Sequence, residues 1–130
     1  GQLGSARKEG QSMSRLTIST SKTFKLGRHR KSFRIWMEGK FLLNAGLLAG
    51  MRFNIELTSE NDLCLTFENN GKRKISGSAW RPIIDINAKY LDEMFTDDEN
   101  IDATHYIATI YHASSFEENS RTLYIEGDWQ

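Results

Sequence analysis

The strongest constraint on how this chain folds is an internal echo between residues 34–67 and residues 83–125. A shift of 49 residues aligns Ile35, Met37, Gly39, Lys40, Phe41 and Leu42 with Ile84, Ile86, Ala88, Lys89, Tyr90 and Leu91. After an insertion, Phe53, Ile55 and Leu57 match Tyr106, Ala108 and Ile110, and further on Leu63 and Leu65 match Leu123 and Ile125. The repeat is too short for a solenoid, so the two half-units are expected to share one core.

The echo predicts a mainly β fold, namely a small pseudo-twofold barrel built from two strand–short helix–hairpin halves. The half-units cover about residues 15–68 and 72–127, and a chain of 130 residues is the size of a single domain. Chance similarity between two ordinary strand–helix–hairpin units is the alternative that the sequence leaves open.

Alternation of apolar and polar residues predicts the strands. Residues 51–57 and 63–67 alternate on either side of a Ser-Glu-Asn-Asp turn, which is typical of a β-hairpin. Two short helices are expected at residues 40–45, with Gly46 as C-cap, and at residues 88–95, with Asn87 as N-cap. The predicted core comprises Ile35, Met37, Leu42, Met51, Phe53, Ile55, Leu57, Leu63, Leu65, Phe67, Ile84, Ile86 and Leu91.

Composition limits the remaining possibilities. Residues 1–12 resemble a leader ahead of a natural start at Met13, which leaves 13–130 as the domain. Cys64 is the only cysteine, so an internal disulfide is excluded and a packing role is expected. No run of about 18 apolar residues occurs. We therefore expect a cytoplasmic monomer or homodimer without membrane contact, metal or cofactor.

The net charge of zero conceals a strong asymmetry along the chain. Residues 15–40 contain eight basic residues and one acidic residue, whereas residues 85–130 contain two basic and eleven acidic residues. The two segments therefore carry +7 and −9. Asymmetry of this kind is informative about partners rather than about fold.

Two basic clusters accompany the two echoing strands. The first runs from Lys22 to Arg34 and includes residues 27–31, which are expected to form a loop. Lysine and arginine neutralise phosphates and release counterions, and arginine can also recognise guanine. The predicted nucleic-acid-binding residues are Lys22, Lys25, Arg28, Arg30, Lys31, Arg34, Lys72, Arg73, Lys74 and Arg81. A surface that faces solvent or a protein explains the same charges equally well.

The acidic cluster surrounds an inserted loop at residues 96–102, which is expected to be exposed. The candidate partner-binding residues are Asp92, Glu93, Asp97, Asp98, Glu99 and Asp102. They could mimic phosphate for a basic protein or repel DNA from one face. A solvated loop and a cation site are the alternatives, although the spacing does not match a twelve-residue calcium loop.

No catalytic constellation stands out. His29, His105 and His112 lie in no motif for acid–base catalysis or zinc binding. The glycines form no phosphate loop, and the chain is predicted not to be an enzyme. The three tryptophans could stack on nucleobases, although packing is the commoner role of this residue.

The first half resembles the AbrB/MazE-type swapped-hairpin domain, and within it the SymE-like branch. The resemblance is carried by IWMEGKFL at residues 35–42, NAGL at 44–47, Gly50 and FNIEL at 53–57, and it covers roughly residues 22–68. The second half keeps the strand and the helix but departs from Ala-Gly-Leu and the glycine that follows.

The resemblance implies a fused barrel, because in that family two half-sized chains interleave hairpins and usually bind DNA. The leading hypothesis is a non-enzymatic DNA-binding regulator or antitoxin-like protein of a prokaryotic mobile element. The second is a phage- or plasmid-encoded inhibitor that binds a host defence protein through its acidic half. The third is a SymE-like toxin that acts on RNA.

Overall fold

The computed structural model describes residues 15–114 and 119–130, in which the chain forms ten strands and two short helices. The strands are β1 (Arg15–Lys25), β2 (Gly27–His29), β3 (Ser32–Glu38), β4 (Arg52–Leu57), β5 (Leu63–Phe67), β6 (Arg73–Lys74), β7 (Ser76–Ser78), β8 (Arg81–Ile86), β9 (His105–Ser114) and β10 (Asn119–Asp128). The helices are α1 (Lys40–Asn44) and α2 (Leu91–Phe95). The prediction of a mainly β fold is confirmed.

The strands form two antiparallel sheets, and neither closes into a barrel within the described residues. The order is β1-β9-β10-β5-β4-β6 in the larger sheet and β2-β3-β8-β7 in the smaller one. At Leu26 the chain passes from edge strand β1 to edge strand β2, and at Ile75 it passes from β6 to β7. Both residues are buried, so each half contributes one buried link between the sheets.

One apolar core includes residues from both sheets and both helices. Tyr106 on β9 is fully buried, and its ring stacks on Phe24 with 5.3 Å between centroids. Its hydroxyl donates a hydrogen bond of 2.9 Å to the carbonyl of Trp36 on β3, which ties the larger sheet to the smaller one. Burial raises the pKa of the Tyr106 phenol, so the buried hydroxyl remains a neutral donor.

Most of the predicted core is confirmed, because Ile35, Met37, Leu42, Phe53, Leu63, Leu65, Ile84, Ile86 and Leu91 are buried. The prediction was wrong for Met51, Ile55, Leu57 and Phe67, which are only partly buried against the core. These residues lie on or beside β4. Among the described residues, the outer neighbour of β4 is β6, which pairs with two residues of β4 and leaves the rest of this edge without a paired strand.

The ladders within the two halves have the same register. A shift of 49 carries the β2–β3 pair Gly27–Arg34 onto the β7–β8 pair Ser76–Ile83. Adding 53 to the residue numbers of β4 and 60 to those of β5 gives the residues that pair between β9 and β10. The corresponding pairs are Ile55–Leu65 and Ala108–Ile125.

Strands from different halves also pair in matching register. Lys25 on β1 pairs with His105 on β9, and the equivalent residue Lys74 on β6 pairs with Arg52 on β4. Each hairpin is therefore flanked by the edge strand of the other half. Each helix also contacts a strand of the other half, since α1 contacts β8 of the second half and α2 contacts β3 of the first.

Gly46 ends α1 as predicted, although the C-cap itself is Ala45 and Gly46 is the residue after it. Gly46 has φ 76°, and its N–H donates to the Leu43 carbonyl at 2.9 Å. The N–H of Leu47 donates to the Leu42 carbonyl, also at 2.9 Å. These two bonds form a Schellman motif, with buried Leu42 and Leu47 as its apolar pair.

Two local predictions were wrong. Helix α2 begins at Leu91, and Asn87 does not cap it, because the Asn87 amide instead donates to the Phe33 carbonyl on β3 at 2.6 Å. Residues 27–31 are not a loop but strand β2 and a turn, since Gly27–His29 pair with β3. In both cases pairing between segments determines the local structure.

Candidate nucleic-acid interface and acidic cleft

The predicted basic arm is divided between an edge strand and a hairpin. Lys22 and Lys25 are exposed on β1, whereas Arg30 and Lys31 are exposed in the turn between β2 and β3. Arg30 has φ 61°, a left-handed conformation that closes this turn. The arm thus presents cations along one sheet edge and at one hairpin tip.

Arg28 connects the basic arm to the acidic loop. Its guanidinium lies over the Phe33 ring, 4.1 Å from the centroid, and forms an ion pair with Asp102. The other carboxylate oxygen of Asp102 accepts a hydrogen bond of 3.0 Å from the Thr96 hydroxyl. The structure therefore brings together two residues that the sequence assigned to separate partners.

Arg34 is also compensated, on the outer face of the smaller sheet. Its Nε and Nη2 atoms each donate to a different oxygen of Asp85 at 2.8 Å, and its guanidinium lies 4.7 Å from the Trp36 ring centroid. The bidentate bond from Arg34 holds the pKa of Asp85 below its usual value. The same bond raises the pKa of Arg34.

Arg81 completes this network through Glu38. Arg81 forms an ion pair with Glu38, which also accepts a hydrogen bond of 2.9 Å from the Trp36 indole N–H. Arg81 first, and Trp36 second, keep the pKa of Glu38 below its usual value. Three of the ten predicted phosphate contacts, at Arg28, Arg34 and Arg81, are therefore neutralised within the protein.

The other seven predicted residues are exposed and form no ion pair with another described residue. They are Lys22, Lys25, Arg30, Lys31, Lys72, Arg73 and Lys74. The Lys22 ammonium lies 5.2 Å from the Phe24 ring centroid. Because β1 and β6 are the outer strands of the larger sheet, these cations occupy both of its edges and one hairpin tip.

The acidic loop is built around one aspartate. Oδ1 of Asp97 accepts hydrogen bonds of 2.9 Å from the backbone N–H groups of Glu99 and Ile101, and Thr96 forms a β-bridge with Asp102. The expectation of exposure is confirmed for Asp97, Asp98, Glu99 and Asp102. Asp92 and Glu93 are exposed in the first turn of α2.

The structure places part of this loop against acidic residues that the sequence analysis missed. Cavities of about 380 and 330 Å³ share Glu60, Asp62 and Glu126 in their walls. The smaller one adds three predicted acidic residues, Glu93, Asp97 and Asp98. None of the described residues that line these two cavities is basic, so together they form an acidic cleft.

Burial and crowding affect the titration of Asp62 in the acidic cleft. Burial, followed by the repulsion of Glu60, raises the pKa of Asp62 above its usual value. The antiparallel pairing of β5 with β10 brings two acidic residues of this cleft together. Leu63 pairs with Ile125, so Asp62 and Glu126 are the next residues beyond that pair.

Aromatic side chains also line the acidic cleft. Tyr111 and Tyr124 meet edge to face in the larger cavity, with 5.4 Å between ring centroids. Trp129 lines the smaller cavity and donates a hydrogen bond of 2.9 Å to the Ile101 carbonyl. Carboxylates beside exposed rings are suited to cations, which aromatic faces also attract.

Comparison with known proteins does not identify a family: no family model, curated protein or solved structure matches the chain. No helix among the described residues is long and apolar enough to cross a membrane. Within residues 15–114 and 119–130, no group of three or more His, Cys, Asp or Glu side chains is arranged to hold a metal ion.

Proposed function

We propose that this chain is a non-enzymatic DNA-binding regulator built from two half-units related by a pseudo-twofold axis. The axis runs between Trp36 and Asp85 on one sheet and between Cys64 and Tyr124 on the other, because each pair joins equivalent positions. The matching registers within and between the halves support this symmetry. A single polypeptide would then supply both halves of the swapped-hairpin arrangement that the sequence resemblance implies.

The observation that carries the proposal is a pair of basic edges whose cations form no ion pair with another residue that the structure describes. Lys25 and Lys74 occupy equivalent positions on β1 and β6, the two outer strands of the larger sheet. Lys22 extends the first edge, and Lys72 and Arg73 extend the second. Two similar cationic edges related by a twofold suit a duplex, whose backbone has the same symmetry.

Fluorescence anisotropy with a labelled DNA duplex, measured at several salt concentrations, tests this assignment. The double variant Lys25→Ala/Lys74→Ala should weaken binding, and the slope of log K against log salt should fall by about one for each lost phosphate contact. The matched control is Lys40→Ala/Lys89→Ala, which removes two exposed lysines from another pair of equivalent positions.

If the control variant loses as much affinity for DNA as the test variant, binding depends on net charge rather than on the two edges. If the test variant loses no affinity, the proposal is overturned. A duplex RNA of the same sequence serves as a second ligand. Markedly tighter binding to RNA would favour the RNA-acting alternative over a DNA-binding regulator.

The acidic cleft supports a second candidate function, inhibition of a protein partner that presents a Lys- or Arg-rich segment. This candidate depends on the convergence of Glu60, Asp62, Glu93, Asp97, Asp98 and Glu126 on cavities without a basic lining residue. Unpaired charge of one sign accelerates encounter with the opposite charge, and the effect weakens as salt rises.

Stopped-flow association with an arginine-rich peptide tests the second candidate. Asp97→Asn/Asp98→Asn should slow association and reduce its salt dependence. The matched control is Glu56→Gln/Glu68→Gln, which removes two exposed carboxylates that line neither cavity. Equal slowing by both variants would show a general charge effect and count against the acidic cleft as the binding site.

A further inference from the structure

The turn between β7 and β8 carries the most exposed large apolar side chain of the described residues, Trp80, which is 86% exposed. A shift of 49 relates this turn, Ala79 and Trp80, to the turn formed by Arg30 and Lys31. Two equivalent hairpin tips thus present different chemistry, an indole in one case and two cations in the other.

Trp80 is exposed at the tip of a hairpin that several contacts keep ordered. Gly77 has φ 90°, and a side chain at this position would collide with the Arg81 carbonyl. Arg81 is tied to Glu38 on β3, and the Ser76 hydroxyl donates to the Ile83 carbonyl at 3.3 Å. An aromatic ring on a preordered turn loses little conformational entropy when it binds a ligand.

Cations precede Trp80 along the chain. Lys72, Arg73 and Lys74 are exposed, and β6 continues through Ile75 into β7. Trp80 follows Lys74 by six residues, so the two residues lie at most about 20 Å apart. A cationic track that leads to an exposed aromatic ring is the combination that binds single-stranded nucleic acid, because phosphates meet the cations and a base stacks on the ring.

We propose that Trp80 stacks on an unpaired nucleobase of a strand whose phosphates contact Lys72, Arg73 and Lys74. The inference rests on the proposed function and deepens it, because the second basic edge then takes a single-stranded or locally unstacked segment in addition to the duplex backbone. The equivalent tip with Arg30 and Lys31 contacts phosphate alone, so the two tips have different tasks.

Two labelled oligonucleotides of equal length test this inference, a thymidine oligomer and an abasic oligomer that keeps the phosphates but lacks the bases. The wild-type protein should bind the thymidine oligomer more tightly than the abasic one. Trp80→Ala should lower affinity for the thymidine oligomer by about five- to a hundredfold and leave affinity for the abasic oligomer unchanged. Trp80→Phe should retain part of the difference.

The matched control is Ile101→Ala, which removes an exposed apolar side chain from another part of the surface and should change neither affinity. The melting temperature of Trp80→Ala should equal that of the wild type because the indole is exposed. Unchanged affinity of Trp80→Ala for the thymidine oligomer, or an equal loss on the abasic one, would overturn base stacking. If duplex binding through Lys25 and Lys74 persists in that case, the proposed function stands. If the wild type binds no nucleic acid at all, both proposals fail.

Discussion

The outer faces of the two sheets carry charge in opposite ways. On the smaller sheet, Arg34 forms a bidentate bond with Asp85 and holds the pKa of that carboxyl below its usual value. At the acidic cleft beside the larger sheet, Asp62 lies with Glu60 and Glu126, and burial and repulsion raise the pKa of Asp62. The first arrangement stabilises the folded chain, whereas the second opposes folding.

This difference separates charges that serve the fold from charges that are available to a partner. A paired arginine is a poor phosphate ligand, because it must give up its carboxylate before it contacts nucleic acid. A cation that has no carboxylate partner among the described residues gives up no such contact when it binds phosphate. The basic edges and the acidic cleft are therefore better candidates for binding than the smaller sheet's outer face, even though that face contains predicted site residues.

The largest expected effect tests whether the two faces share one core. Ile35 lies beneath the smaller sheet's outer face and Ile125 beneath that of the larger sheet, and both are fully buried. Ile35→Ala and Ile125→Ala should each lower the free energy of unfolding by about 2–5 kcal/mol in urea denaturation. Each variant should unfold in a single transition. Two separate transitions would mean that the sheets fold independently.

A smaller effect should have opposite signs on the two faces. At pH 7, Asp85→Asn should lower the free energy of unfolding by up to about 1 kcal/mol. Asp62→Asn should raise it by up to about 0.5 kcal/mol, because it removes a partly buried charge that Glu60 repels. Thermal unfolding of both variants measures these changes, and a shared sign would contradict the contrast between the faces.

The two carboxylates should also respond oppositely to pH. Because the folded-state pKa of Asp85 is lowered, its stabilisation is complete above the unfolded-state pKa of about 3.9 and is lost as pH falls through the folded-state value. Because the folded-state pKa of Asp62 is raised, its penalty is complete above that value and disappears as pH falls below about 3.9. Melting temperatures from acidic to neutral pH, compared with those of the Asn variants, report both trends.

The smallest effect concerns salt. Raising the ionic strength from about 0.05 to about 0.5 M shortens the Debye length and should narrow the stability differences between the wild type and both Asn variants. Ile125→Ala serves as the control, since loss of a buried apolar side chain should cost the same at either ionic strength. A difference for Asp62→Asn that does not change with salt would identify burial, rather than repulsion by Glu60, as the sole cause of its penalty.

Local patterns predicted much of the fold. Alternation located β4 and β5, and Gly46 marked the end of α1, because period and turn chemistry act over a few residues. Asn87 was mistaken for an N-cap because its partner, the Phe33 carbonyl, lies 54 residues away. The partial burial of Ile55 was missed because it depends on how far β6 extends beside β4.

The candidate site was less predictable than the fold. Clusters in the sequence identified which residues are cations and which are carboxylates. They did not predict the ion pair between Arg28 and Asp102, because these residues are 74 positions apart. Glu60 and Glu126 were not predicted as site residues because each lies outside the acidic loop. Asp62 lies beside Glu126 because Leu63 pairs with Ile125 in the sheet, whereas the sequence echo matches Leu63 with Leu123.

The sequence by itself determined where most of the strands and turns form, which positions of the two halves correspond, and that opposite charge collects in opposite halves. These properties depend on residue type and local spacing. The tertiary structure alone decided which of those charges neutralise one another and which remain available. An ion pair requires its charged groups to lie within about 4 Å of each other, so it depends on which strands lie side by side and not on distance along the chain.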